Sequence, residues 1–294
     1  MGEWVAYDFF AGLRGWSRKI EERPNWRVMS TDIDKRFDVT LHADILELTA
    51  SDLISEYGKP DIVLASPPCE KFAVTSLSRN WWVVERCRNC EGPVLLVKRH
   101  KGGNHEWVHQ SEFADCSEPF ARISKDPVVE PKNDEARYFM NLVEHTLKLI
   151  EGLQPKFWVM ENPTGMMRRL EVLKDVELRP ISYCRYGMPY MKPTDLWGGF
   201  PPSLKLKPVC RTRPNQKNPL QGQKVEMPDG RTFITNELGE PCHESASRGA
   251  RTGIQGITDP AVRSLVPDAL SDAVIDAAER DLTRRRVVRR KPRG

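Results

Sequence analysis

Residues 4–15 read Trp4-Val5-Ala6-Tyr7-Asp8-Phe9-Phe10-Ala11-Gly12-Leu13-Arg14-Gly15. An apolar and aromatic run that ends in two closely spaced glycines predicts a buried strand followed by a tight turn. A helix-like stretch from Trp16 to Glu22 follows and is stopped by Pro24. Trp26 to Thr31 reads as a second strand ending in Asp32, and residues 51–57 read as a helix with Ser51 or Asp52 near its cap. Asp61-Ile62-Val63-Leu64-Ala65 is short and apolar, fit for a buried strand. Strand, turn, helix, strand, helix, strand is the order of a doubly wound α/β fold on a parallel sheet.

Downstream the rhythm breaks and then returns. Residues 81–126 are rich in Cys, His, Trp and charge and read as an insertion. From Asp134 to Glu151 the helical period resumes, with Phe139, Leu142, Val143, Thr146, Leu147 and Ile150 on one face. Phe157-Trp158-Val159-Met160 is a further strand, ending at Glu161-Asn162-Pro163, and another strand-like piece surrounds Ile181 to Cys184. Residues 198–255 carry Pro, Gly, Asn, Gln and Arg with few apolar runs and read as a small irregular lobe. Within it, residues 225–235 suit a hairpin turning at Pro228-Asp229-Gly230. Residues 260–281 read as helix, with Pro267 near a first turn and Leu270, Val274, Ile275 and Ala278 on one stripe. The predicted layout is a catalytic domain over 1–197 and 256–283, containing the insertion, with the lobe at 198–255 and a basic tail at 284–294.

At 294 residues, with 39% hydrophobic and 29% charged residues, the chain can bury a core without staples. No apolar run is long enough for a membrane span, and the start lacks a secretion pattern, so a cytoplasmic protein is expected. Seven cysteines, an odd number, then favour reduced thiols used for catalysis or metal binding. The net charge of +4 permits nucleic-acid binding without arguing for it. The arginines at 284–286, 289–290 and 293 read either as a solvated tail or as phosphate contacts.

In a parallel sheet, ligands sit beyond the C-terminal strand ends. Here those ends carry Asp8 to Gly12, Asp32, Ser66-Pro67-Pro68-Cys69 and Glu161-Asn162. The glycine turn lets backbone approach a ligand, but it lacks the full dinucleotide spacing. Asp32 stands where an acid accepts the ribose hydroxyls of an adenosyl group, and Asp44 is placed to reach the adenine amino group. The two prolines fix the backbone before Cys69 and present its thiol at the ligand edge; a buried core cysteine is the competing reading. Thiol and acid together suit attack on cytosine. A thiolate adding at carbon 6 makes carbon 5 nucleophilic toward a methyl sulfonium, and an acid at ring nitrogen 3 stabilises the adduct. Cys69 is the candidate nucleophile and Glu161 the candidate acid, with Lys71, Arg185 and Lys192 as possible cationic neighbours.

These residues resemble the ordered motifs of the cytosine-5 DNA methyltransferase family, in its divergent phage and bacterial branch. Asp8 to Gly12 resembles the first motif, Asp32 the second, Asp44 the third, Pro67 to Glu70 the fourth and Glu161 to Pro163 the sixth. Tyr186-Gly187-Met188-Pro189 resembles the eighth, and Arg263 to Pro267 the last. The resemblance implies a Rossmann-like S-adenosylmethionine-dependent fold acting on a flipped base in DNA. It implies a cofactor pocket lined by Asp8, Phe10, Gly12, Asp32, Ile33, Asp44, Ile45, Pro68 and Ser264, and target recognition by the lobe. Arg14, Glu70 and Pro163 depart from the family pattern, as do Tyr190, Lys192 and Thr194 where Gln and two Arg residues are usual. Arg211, Arg213, Asn215, Gln216, Lys217, Gln221, Gln223, Arg231, Arg248 and Arg251 are the lobe's candidate DNA contacts. An RNA cytosine-5 methyltransferase, or a non-catalytic zinc-containing DNA-binding module, are the alternatives. A monomer is expected.

The insertion carries a second chemistry. Cys87 and Cys90 form the two-residue-gap pair that tetrahedral zinc accepts. His100, His105, His109 and Cys116 follow, and Cys87, Cys90, His109 and Cys116 are the preferred structural zinc set. Cys184, Cys210 and Cys242 show no comparable pairing and read as structural or surface thiols.

Overall fold

The computed structural model describes residues 4–73, 76–87, 89–90, 92–98, 105–109, 116, 127–245 and 259–290. The chain forms two compact units. The first comprises residues 1–68, 142–164 and 176–294, and the second residues 69–141 and 165–175.

The first unit opens with β1 (Trp4–Phe9), α1 (Ser17–Glu21), β2 (Trp26–Asp32), β3 (Leu41–His42), α2 (Ala50–Tyr57) and β4 (Ile62–Ala65). β1 pairs in parallel with both β2 and β4, and all six of its residues are buried, Asp8 included. The cap of α2 is Thr49, whose hydroxyl accepts the Asp52 N–H; neither Ser51 nor Asp52, the expected candidates, fills that position. Thr49 has the extended backbone that a cap needs, whereas Ser51 and Asp52 already lie inside the helix.

In the second unit follow α3 (Leu77–Asn80), β5 (Trp81–Val84), β6 (Val94–Lys98), β7 (His105–His109) and β8 (Val128–Pro131). β5 pairs with β8 and β6 with β7, both antiparallel. Phe72 stacks on Trp81 with ring centroids 5.3 Å apart, and Met166, Met167, Leu170 and Leu173 are buried. The Met166 N–H donates to the Phe72 carbonyl. Helix α4 (Asp134–Leu153) starts in this unit, where the Asn133 side chain accepts the Ala136 N–H, and ends in the first.

Back in the first unit lie β9 (Phe157–Pro163), β10 (Leu178–Ser182), β11 (Pro193–Gly199), β12 (Lys224–Glu226), β13 (Thr232–Thr235), β14 (Pro241–Glu244), α5 (Pro260–Ser264) and α6 (Asp268–Arg290). The main sheet has seven strands in the order β10-β11-β9-β4-β1-β2-β3. The sequence predicts a parallel sheet, and the sheet departs from that in β11, which runs antiparallel between β9 and β10. β12 to β14 form a small separate sheet, and the expected hairpin turn is present, with Gly230 at φ +81°.

One face of the main sheet presents Trp4, Ala6, Ile62, Leu64, Phe157 and Val159, which share a core with Trp16, Ile20, Leu270, Val274, Ile275 and Ala278. Each Val, Leu, Ile or Phe among them contributes roughly 1.5–3 kcal/mol when buried. On the other face the Tyr7 hydroxyl donates to the Leu53 and Gly58 carbonyls. The predicted 260–281 helix is broken. α5 ends at Ser264, an extended Leu265 follows, and Pro267 stands just before α6, where its missing N–H costs nothing. α6 then continues to Arg290, so arginines 284–290 are helical and do not begin a separate tail.

Candidate functional site

The turn after β1 is built from three residues at positive φ: Phe10 at +59°, Gly12 at +50° and Arg14 at +58°. Arg14 occupies a left-handed position that favours glycine, at a cost of about 1–2 kcal/mol. Gly15 is required for another reason. A Cβ there would lie 2.6 Å from the Val266 backbone nitrogen, so the β1 turn and the segment before α6 approach at backbone distance.

The Asp32 carboxylate holds this turn to the end of β2, accepting the Gly12 N–H at 2.9 Å and the Asp34 N–H at 2.9 Å. Each oxygen keeps a lone pair for a further donor. Beside it Ile33 is 61% exposed, an apolar side chain left uncovered at a strand end. A side chain added at Gly12 would meet nothing within 4 Å, so the space over the turn is open. Open turn, half-buried acid and exposed aliphatic fit the ribose and ring of an adenosyl group. Phe10 and Pro68 are half-buried, and Ser264 is exposed with its hydroxyl donating to the Ala261 carbonyl. Asp44 caps the short turn at Ile45 through the Leu46 N–H, and the Ile45 side chain is buried, facing away from any open surface.

Asp8 is also inside, 1% exposed, with one carboxylate oxygen accepting the Ser17 N–H at the start of α1. Burial pushes its carboxyl up to about 7, against the lowering effect of the Ser17 hydrogen bonds. Its place is beneath the turn, where it ties β1 to α1.

Glu161 lies at the C-terminal end of β9 and is buried. Its Oε1 accepts the Tyr183 hydroxyl at 2.7 Å, and the buried Lys192 ammonium lies 3.7 Å from the same oxygen. Lys192 also donates to the Arg263 carbonyl at 3.1 Å and sits over the Tyr183 ring at 4.4 Å. The acid is therefore held from both sides of the segment between β10 and β11, by Tyr183 at its start and Lys192 at its end. Sequence reasoning singled out Lys192 but missed Tyr183, which reads only as part of an apolar strand. Arg185 points elsewhere, toward Glu237 and Glu240 at 3.8 and 3.9 Å.

The neighbouring Asn162 is fully buried and donates from Nδ2 to the Pro67 carbonyl at 2.7 Å. β4 and β9 are adjacent parallel strands, so this bond links the start of Pro-Pro-Cys to the Glu-Asn pair. Cys69 belongs to the second unit, half-buried and in no disulfide. In that unit its carbonyl accepts the Phe72 N–H, and Lys71 pairs with Glu135.

Also in the second unit, the ligand atoms of Cys87, Cys90, His109 and Cys116 lie within 4.8 Å of one another. Cys87 Sγ and Cys116 Sγ are 4.0 Å apart, and the His109 Nε2 is buried without a hydrogen-bond partner. The Asn89 backbone N–H donates to Cys87 Sγ at 3.4 Å. Among the described residues around them, Cys87 and Val94 are buried and Cys116 packs against them. These donors fit a tetrahedral Cys₃His zinc site. His100 lies outside the described residues, as does the side chain of His105.

No protein-family model matches the sequence, and no curated protein matches it. Among solved structures, the chain is similar to one described as a DNA modification methyltransferase encoded within an E. coli prophage (TM-score 0.39, 17% identity, 70% of this chain and 49% of that chain). It is also similar to a mutant of Spodoptera frugiperda DNMT2 (TM-score 0.37, 12% identity, 72% and 56%). A third is the Entamoeba histolytica methyltransferase EhMeth (TM-score 0.46, 11% identity, 96% and 99%). The chain spans about half the length of the first two.

The lobe's candidate contacts divide. Arg211, Arg213, Asn215, Gln216 and Lys217 form an exposed run. Gln221 is buried and donates to the Arg213 carbonyl, and Arg231 is committed to Asp229 and Glu244. Gln223 donates to the Pro219 carbonyl, and Arg248 and Arg251 lie outside the described residues. No helix among the described residues is long and apolar enough to cross a membrane.

Proposed function

We propose that this protein transfers a methyl group from S-adenosylmethionine to carbon 5 of cytosine in DNA. The observation that carries the reading is the Asn162–Pro67 hydrogen bond. It fastens the peptide that leads into Cys69 to the strand end that carries Glu161. Phe10, Gly12, Asp32, Ile33, Asp44 and Pro68 would hold the adenosyl cofactor, with Asp8 and Ile45 supporting them from beneath and Ser264 at the rim. When bound, the cofactor supplies an electrophilic methyl sulfonium.

In this mechanism the Cys69 thiolate forms a bond to carbon 6 of a cytosine flipped out of its duplex. Glu161 holds a proton at ring nitrogen 3, which drains negative charge from the adduct. Tyr183 and Lys192 are positioning residues: one donates a hydrogen bond to the Glu161 carboxyl and the other packs beside it. After methylation, loss of the carbon 5 proton restores the double bond and expels the Cys69 sulfur. The cysteine-histidine set is proposed to hold one structural zinc, and the exposed run at 211–217 to meet DNA phosphates and base edges.

The test is transfer of labelled methyl to duplex DNA, with tRNA as the competing substrate. On duplex DNA containing 5-fluorocytosine, the wild-type protein is expected to form a covalent adduct that Cys69→Ser abolishes. Labelling of tRNA alone would overturn the DNA assignment, and no labelling with no adduct would overturn the reaction.

A further inference from the structure

Outside the site described, one cluster of side chains has no part in the proposed chemistry. Cys184 lies in the short helical turn that follows β10, Cys210 in the long connection after β11, and Cys242 on β14. All three belong to the first unit. Their sulfurs lie within 4.8 Å of one another, with Cys210 and Cys242 at 3.0 Å and Cys242 and Cys184 at 3.4 Å. Cys184 and Cys242 are buried, and Cys210 is half-buried. The expectation of scattered structural or surface thiols is therefore corrected: the fold collects them.

We propose that Cys184, Cys210 and Cys242 bind a second zinc ion, which fastens the lobe to the end of the main sheet. Three thiolates converging on one point are the soft donor set that selects zinc over oxygen-preferring cations. A disulfide uses two sulfurs and leaves the third buried beside it without a role. The composition of the lobe supplies the need. Among the described residues between Leu204 and Val266, Cys242 is the one member of the buried apolar core, while Leu220 and Leu238 are 57% and 62% exposed. The other buried side chains there are polar: Gln221, Thr235, Asn236 and His243. A lobe with so little apolar burial gains its fold from a cross-link, and metal binding supplies folding free energy directly.

The backbone leads the three sulfurs together. The Cys210 N–H donates to the Ser182 hydroxyl at 3.0 Å, and the Glu244 N–H donates to the Pro189 carbonyl at 2.7 Å. These bonds fix both lobe segments beside the turn that carries Cys184. The fourth position falls to solvent. No further Cys, His, Asp or Glu joins the cluster among the described residues, and His243 uses its ring nitrogens on the Glu244 carbonyl and the Thr212 hydroxyl. Residues 246–258 contain none of these residue types. A half-buried Cys210 leaves the open side facing water.

The test counts zinc in the full chain purified without chelator. Cys87→Ser/Cys90→Ser removes the ion proposed for the Cys₃His set, so the zinc it retains reports this cluster alone. That variant is expected to keep one zinc per chain, and adding Cys184→Ser/Cys242→Ser is expected to remove it. A Cys87→Ser/Cys90→Ser protein without zinc would overturn the proposal and leave the methyl-transfer reading untouched. Should the combined variant fail to fold, alkylation of the wild-type protein with peptide mapping decides. Cys184, Cys210 and Cys242 are expected to react only after a chelator is added. Equal labelling with and without it, or a Cys210–Cys242 disulfide in the non-reduced map, counts against the site.

Discussion

Glu161 shows how a single carboxyl is held for one task. It is buried, yet it has a hydroxyl at 2.7 Å and an ammonium at 3.7 Å. Removing the hydroxyl in Tyr183→Phe leaves the ring and its packing in place and takes away one hydrogen bond. A bond to an ionisable group contributes about 1.5–3 kcal/mol. Methyl transfer is therefore expected to slow by roughly 10–100-fold with little change in cofactor affinity. The loss should fall on the rate alone; an equal loss of cofactor affinity would make Tyr183 merely structural. Asp8 makes the opposite case, an acid whose site disfavours its charge. Its carboxyl is raised to about 7 from an ordinary 3.8. Below both values native and unfolded chains hold the proton equally. Between them the native chain alone keeps it, so Asp8 makes stability fall as pH rises from about 4 to 7. Asp8→Asn can still accept the Ser17 N–H but cannot ionise. Compared with the wild type, it is expected to gain stability at pH 8 relative to pH 4, by on the order of 1–4 kcal/mol. Urea unfolding at the two pH values measures this, and a difference that does not grow with pH excludes the account.

At the scale of elements, two glycines separate crowding from backbone conformation. A Cβ on Gly198 in β11 would lie 2.1 Å from the Trp158 carbonyl oxygen in β9, a backbone atom with nowhere to go. Gly230 in the lobe hairpin has open space around it but φ at +81°. Gly198→Ala is expected to cost about 3 kcal/mol or more through forced separation of the strands. Gly230→Ala should cost only about 1–2 kcal/mol through left-handed strain. Chemical denaturation of both variants checks the order, and reversal would refute the crowding argument. The sequence made β1, β4 and β9 legible because strands buried on both faces are dominated by apolar residues, and β2 through Trp26, Val28 and Met29. It hid β11, whose Pro193-Thr194-Asp195 start and Gly198-Gly199 end lack both alternation and an apolar run. Its polar Thr194 and Asp195 are nevertheless fully buried, and the Thr164 hydroxyl donates to Asp195. Helix termini were blurred for a related reason: apolar spacing marks a helix face and not its ends, so Pro267 marked the start of α6 while the end of α5 at Ser264 passed unseen.

Across the whole chain, the seven cysteines fall into two metal-type clusters of three and one candidate nucleophile. The Cys87–Cys90 pair was legible because its spacing is local. The other triad was not, because its sulfurs come from positions 32 and 58 residues apart and meet only through the sheet. On this reading metal supports the lobe and the unit that carries Cys69, and not the sheet core beneath the adenosyl candidates. The adenosyl candidates Phe10, Gly12, Asp32 and Ile33 stand on the main sheet, whose core holds Trp4, Ile62, Val159, Leu270 and Ile275 and needs no ion. Cys69 belongs to the unit that contains the Cys₃His set, where the ligands Cys87 and Cys116 themselves pack with Val94 among the described residues. Stripping metal with a strong chelator is therefore expected to leave binding of S-adenosylhomocysteine within about threefold, a change of roughly 0.7 kcal/mol. Adduct formation with 5-fluorocytosine DNA should be lost in the same sample and return when zinc is added back. Calorimetric titration follows the first and gel retardation under denaturing conditions the second. If cofactor affinity collapses together with adduct formation, the core of the main sheet is not independent of metal, and this account fails.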